Sequence, residues 1–236
     1  MLLTNHYFCC LTLKEIIMTK RFLTYAGIAL FALALTNCKD KAKEAETTAV
    51  EETAETTAVS TKYIADAGNS TINWKGFKPT GTHTGTISIE SGVITMTDGA
   101  VESGTFIIDM NTITVTDIPA EKEGNAKLTG HLKSADFFDV ESFPSSAFNV
   151  TGFEMKDGKG MLSGNLKMKD AENNITIPVS ITENGDTMTL TSDTFSIDRS
   201  KWNVKYGSKS FFDDLGDKFI NDEFELQITL VANKQS

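Results

Sequence analysis

The sequence predicts an all-β domain with one short helix, closed into an antiparallel barrel of about eight strands. Three observations carry that expectation. Residues 62–236 fall into about nine short segments in which apolar and polar residues alternate, the mark of half-buried strands. Turn formers such as Asp98-Gly99, Asp157-Gly158 and Asn184-Gly185 separate them. One stretch, 120–134, breaks the pattern: Ala126, Leu128 and Leu132 sit among charges at helical spacing.

The last segment is the clearest strand, with Phe224, Leu226, Ile228 and Leu230 on one face and Glu225, Gln227 and Thr229 on the other. Similar segments occupy 71–75, 84–89, 93–97, 105–110, 147–153, 161–168, 175–181 and 187–194. Strands at such regular spacing favour a closed or nearly closed sheet. A barrel of about eight strands either fills its interior with side chains or holds one small ligand.

The N-terminus reads as an address. Lys20-Arg21 precede the apolar run from Phe22 to Leu35, which has the length of a signal-peptide core and is too short to span a bilayer. Met18 makes a better start than Met1, because Met18-Thr19-Lys20-Arg21 is a compact basic n-region. The run ends in Leu35-Thr36-Asn37-Cys38, which resembles a bacterial lipobox and makes Cys38 the candidate lipidated N-terminus. Residues 1–37 are therefore expected to be a signal peptide, and the product to be exported to the periplasm or cell envelope, held to a membrane by its N-terminal lipid. Cys9 and Cys10 would leave with the leader, so the domain would contain no disulfide, thiolate nucleophile or Cys-based metal site.

The chain has 32 acidic and 22 basic side chains, a net charge of −10. Loss of Lys14, Lys20, Arg21 and Glu15 with the leader would make it −12. That charge opposes a polyphosphate backbone, no basic stripe offsets it, and nucleic acid is excluded as a partner. After Cys38 the composition collapses to Lys, Glu, Ala, Thr and Val, with Glu-Thr-Thr-Ala-Val at 46–50 and again at 55–59. Such a segment buries too little to offset its ordering entropy, so 38–61 is expected to be a lipidated cysteine followed by a disordered acidic tether. The folded domain is expected to begin at residue 62.

Within that domain, His131-Leu132-Lys133-Ser134-Ala135-Asp136-Phe137-Phe138-Asp139-Val140 leads into Phe143-Pro144 and Phe148. Leu162-Ser163-Gly164-Asn165-Leu166 with Ile177-Pro178-Val179, and Phe195-Ser196-Ile197-Asp198-Arg199, follow. This succession resembles the YceI-like, polyisoprenoid-binding family, across essentially all of 62–236. At the 174–177 hairpin the usual Gly-Val-Thr is replaced by Asn174-Ile175-Thr176-Ile177. The resemblance implies a lipocalin-like barrel with an apolar tunnel for an isoprenoid or similar long-chain lipid.

The aromatic residues agree with that implication: Trp74, Phe77, Phe106, Phe137, Phe138, Phe148, Phe195, Trp202, Phe211 and Phe212 are the candidates to line a tunnel. Counted as residues alone, such rings favour an ordinary packed core, and the resemblance reverses that preference. His83, His131, Arg199 and Lys201 are the candidates for a polar headgroup, the last two sharing one face if 195–202 is extended. With two histidines and no cysteine in the domain, and no Gly-x-Ser-x-Gly, the sequence offers no catalytic constellation. Asp213, Asp214, Asp217, Asp222 and Glu223 lack calcium-loop spacing and read as a solvated face. The expectation is a non-catalytic lipid carrier or sequestering protein, without metal or cofactor; a filled structural barrel that presents an interaction surface is the alternative. Oligomeric state is silent.

Overall fold

The computed structural model of the chain describes residues 41–57 and 59–235. The expected leader, its alternative start at Met18 and the lipidation candidate Cys38 lie outside the described residues. Ala42–Ser236 forms a compact unit. In chain order its elements are β1 (Lys43–Glu44), β2 (Glu46–Thr48), β3 (Thr61–Ala65), β4 (Thr71–Lys78), β5 (Gly81–Thr97), β6 (Ala100–Val115), α1 (Glu123–Lys133), β7 (Ser145–Lys156), β8 (Lys159–Met168), β9 (Ala171–Asn184), β10 (Thr187–Ser192), β11 (Phe195–Asp198) and β12 (Glu223–Lys234).

Consecutive strands from β5 to β10 pair antiparallel, and β10 pairs with β12. The ring closes because β3 and β4, laid end to end, each bridge β12 to β5: Ala65 faces Ala232, and Trp74 faces Leu226. β10 and β11 share the next position in the same way, both pairing with β12. Eight positions therefore encircle one interior, as the alternation predicts. The segments expected at 84–89 and 93–97 are one continuous strand, β5. Register shifts near Ser88 and Ser91 bend it, so it curves around the barrel without breaking.

The acidic segment after Lys41 departs from its expected disorder. Where β10 gives way to β11, the edge of β9 at 174–176 and the edge of β11 have no partner from the barrel itself. Residues 43–48 fill that seam. β1 pairs parallel with β11, Lys43 facing Phe195, and β2 pairs antiparallel with β9, Thr47 facing Ile175. Between them Ala45 is 5% exposed and its N–H donates to Ser196 O at 2.8 Å. Further on, the backbone of Glu51 is clamped by the Asn165 side chain at 3.1 and 2.7 Å, and Ala54 N–H donates to Val150 O. Composition measures what side chains can bury. A backbone strand filling an open edge gains its stability from main-chain pairing, which is indifferent to Lys and Glu pointing outward.

Ala45→Pro deletes the donor to Ser196 and should cost about 1–3 kcal/mol. Amide exchange is the check: Ala45 N–H should be protected in the wild type and residues 43–48 should exchange freely in the variant, whereas free exchange in both would restore the tether.

At the closing joint, Tyr63 Oη donates to Glu183 Oε2 at 2.6 Å. That hydrogen bond, then burial and the charges of Glu183 and Asp186, pushes the hydroxyl from 10.0 up to about 12. The folded state thus holds this proton more tightly than the unfolded chain does. Its contribution is whole below pH 10 and is lost as pH rises towards about 12. Urea unfolding across that range should show wild type losing more stability than Tyr63→Phe; parallel curves would contradict the assignment.

Candidate functional site

One end of the barrel is covered by α1. Asn125 fixes it there, its Nδ2 donating to Val115 O at 3.0 Å and Ile118 O at 2.7 Å, so that Leu128 and Leu132 turn inward. The chain leaves the helix in a tight turn in which Phe137 and Asp139 N–H both donate to Ser134 O and Asp139 takes a left-handed φ of 49°. Phe137 and Phe138 are therefore in a turn and not on a strand. Their rings stack edge-on at 5.1 Å, and both face the interior.

Beneath the helix lies a cavity of about 300 Å³, walled by Trp74, Phe77, Ile87, Ile113 and Phe224 from the strands and roofed by Leu128, Leu132, Phe137 and Phe138. A second cavity, of about 90 Å³, is lined entirely by apolar residues, Phe106, Phe148 and Phe195 among them. On β4, β5 and β12 its residues Ile72, Ile89 and Leu226 are one inward position from Trp74, Ile87 and Phe224 of the first. The two are thus successive sections of one lumen along the barrel axis.

Glycine keeps that lumen open. Gly85 lies opposite Trp74 and Gly92 opposite Phe106 in the ladders, while Gly164 lies diagonal to Phe148. A Cβ on any of the three would overlap the neighbouring ring. Because each glycine leaves that space empty, the rings lie flat along the wall, where a side chain would push them into the interior.

The ionisable residues that line the larger cavity, Lys78, His83, His131, Arg199 and Lys218, are all basic. His83 Nδ1 meets Asp117 Oδ2 at 2.9 Å, and Thr84 N–H donates to the other oxygen at 2.9 Å. Burial alone would raise the Asp117 pKa; the Thr84 N–H and His83 outweigh it and hold the carboxyl below its usual range. Arg199 is 2% exposed, its guanidinium donating to the carbonyls of Asn221, Val204 and Ile220 at 2.6–3.1 Å with Asp222 at 3.4 Å. Burial pulls its pKa down, opposed by Asp222 and Asp198. It is a brace in the wall, its flat face 5.2 Å from the Phe137 ring.

Of the ten ring candidates, Trp74, Phe77, Phe137 and Phe138 line the larger section and Phe106, Phe148 and Phe195 the smaller. Three do not. Trp202 is fully buried outside both sections, its Nε1 donating to Leu166 O, and Phe211 and Phe212 are 42% and 49% exposed. Lys201 also lies outside the lumen, paired with Glu44 at 3.2 Å, because the strand ends at Asp198. The Asp198 side chain accepts from Ser200 N–H and starts a 3-10 turn over Arg199–Trp202, which separates Arg199 from Lys201. His83 and His131 both reach the cavity.

The family model for the YceI-like domain matches residues 63–232. The chain belongs to the YceI-like family. Two solved structures share the YceI-like fold found here. BcnA of Burkholderia cenocepacia is 21% identical, with a TM-score of 0.56 over 72% of this chain and 99% of its own. A polyisoprenoid binding domain from Saccharophagus degradans, implicated in plant cell wall breakdown, is 16% identical, with a TM-score of 0.55 over 73% of this chain and 98% of its own. No curated protein matches the chain.

Sequence reasoning missed Lys78 and Lys218 at the opening, since isolated lysines carry no local signal. It also missed the glycines under the rings, which become visible only once the cross-strand register is known. In this YceI-like barrel Phe137 is held among His131, Arg199, Phe138 and Tyr206, whereas Phe138 is half-buried. Phe137→Ala should therefore cost about 3–5 kcal/mol in chemical unfolding and Phe138→Ala less than half as much. Equal losses would contradict the different packing of the two rings.

Proposed function

We propose that the barrel binds an isoprenoid or other long-chain lipid, the tail lying in the two-section lumen and the polar head at its basic opening. The observation that carries this reading is an unfilled apolar interior whose ionisable lining residues are all basic, in a chain of net charge −10. The polyisoprenoid binding domain of Saccharophagus degradans supports it as a relative of the same fold. A cavity of about 300 Å³ stands at the low end of ligand pockets. A long tail is accommodated by threading into the smaller section as the side chains between the two move aside.

Such a ligand comes from a membrane, so most of the gain from burying its chain cancels. Selection then rests on lumen shape and on the basic groups at the opening. The role is that of a non-catalytic carrier or sequestering protein of the cell envelope, exported by its leader and anchored through lipid on Cys38. With Lys43 already in the sheet, the five peptide links from Cys38 reach at most about 18 Å, so an anchored barrel would be held close to its bilayer.

Filling the lumen tests the reading. Leu128→Trp in the roof and Gly92→Ala in the wall should each lower uptake of a fluorescent prenyl lipid by about tenfold or more while the domain still melts cooperatively. Undiminished uptake in both would move the ligand out of the lumen. Separately, the protein extracted from membranes should carry a lipid-derived mass increment on Cys38 that Cys38→Ser abolishes; an unmodified Cys38 would remove the anchor.

A further inference from the structure

Among the described residues the exposed aromatic side chains gather in one place. Tyr206, Phe211 and Phe212 stand together on the loop 203–219 that leads from the 3-10 turn to β12, Tyr206 being 44% exposed. The loop is well tied. Phe211 and Phe212 N–H both donate to Ser208 O, Ser208 is fully buried, Ile220 N–H donates to Gly207 O at 2.8 Å, and Ser210 Oγ donates to Asp222 at 2.7 Å. The rings are thus presented to solvent by an ordered backbone, at a cost that folding alone does not require. Lys205 Nζ stands 5.1 Å over the Phe211 ring and Lys209 Nζ 3.6 Å over Phe219.

The same loop reaches the cavity. Tyr206 packs edge-on against His131 at 4.5 Å, and Lys218 and Ile220 line the opening. Rings flanked by lysines suit the headgroup layer of a bilayer, where aromatic bodies sink and long cationic side chains reach back to the phosphates. Lys205, Lys209 and Lys218 are matched in the loop by Asp213, Asp214 and Asp217, so this surface is locally balanced in a strongly acidic chain. Balance fits zwitterionic headgroups, while an anionic surface would repel the rest of the domain.

We propose that loop 203–219 docks the barrel on a zwitterionic phospholipid bilayer, with Phe211 and Phe212 entering the interface and the cavity opening turned towards the lipid. This deepens the lipid-binding reading and rests on it for its purpose. Ala42–Ser236, which contains the closed sheet, the helix and both cavities, is the protein to test, by flotation with phosphatidylcholine vesicles.

The wild type should float, and the double variant Phe211→Ser/Phe212→Ser should bind about tenfold more weakly or less. Met155→Ser removes an exposed apolar side chain elsewhere and should float like the wild type. Uptake of farnesol from solution should be unchanged in the double variant, since neither ring lines the lumen, while uptake from vesicles should slow about tenfold. Vesicle binding without any farnesol uptake would support the docking surface and remove the lipid cargo. Farnesol uptake without vesicle binding, a double variant that floats like the wild type, or binding that requires phosphatidylglycerol would each overturn the docking.

Discussion

The closing of the sheet on itself is the constraint from which the rest of this protein follows. β12 must pair with β10 and β11 along one edge and with β3 and β4 along the other, and at the two joints Ile228 N–H donates to Ser192 Oγ and Val231 N–H to Ser70 Oγ. The ring leaves one seam, between β9 and β11, which residues 43–48 cover, and its interior has a size set by strand number and tilt, whatever side chains are available to fill it. Eight positions enclose more space than these residues occupy. The surplus is the lumen.

The structure maintains that surplus at a cost. Trp74 lies flat on Gly85 with its indole N–H buried and unpartnered, a loss of about 1–3 kcal/mol. Phe106 and Phe148 lie down over glycines in the same manner, and glycine in a strand weakens it. Arg199 shows the opposite economy: a guanidinium expected to meet a headgroup is spent on three carbonyls that tie the 203–219 loop to the wall. The cations left at the opening, Lys78 and Lys218, come from surface positions whose pairing no local pattern reveals.

What the sequence disclosed follows from the range of each interaction. Strand alternation and the helix at 120–134 are written in spacings of two and of three to four residues, and both are found, as β4 to β10, β12 and α1. The turn that places Phe137 and Phe138 depends on Ser134 carbonyl acceptance and a left-handed Asp139, which no spacing of apolar residues signals. Residues 43–48 were illegible for a different reason. Their composition is that of a coil, and only the pairing of β9 and β11 creates the gap that makes them strands. The glycine and ring pairs likewise join residues on different strands, so they exist in the register and not in any stretch of sequence.

The central claim is that the lumen holds a long-chain amphiphile in the protein as the cell makes it. Native mass spectrometry of the full chain, extracted gently from its own membranes, tests this most directly. The account predicts a non-covalent increment that collisional activation removes and that organic extraction identifies as a chain lipid with a polar head, separate from any covalent N-terminal lipid. A bare polypeptide mass, unchanged after incubation with prenyl lipids, would contradict it.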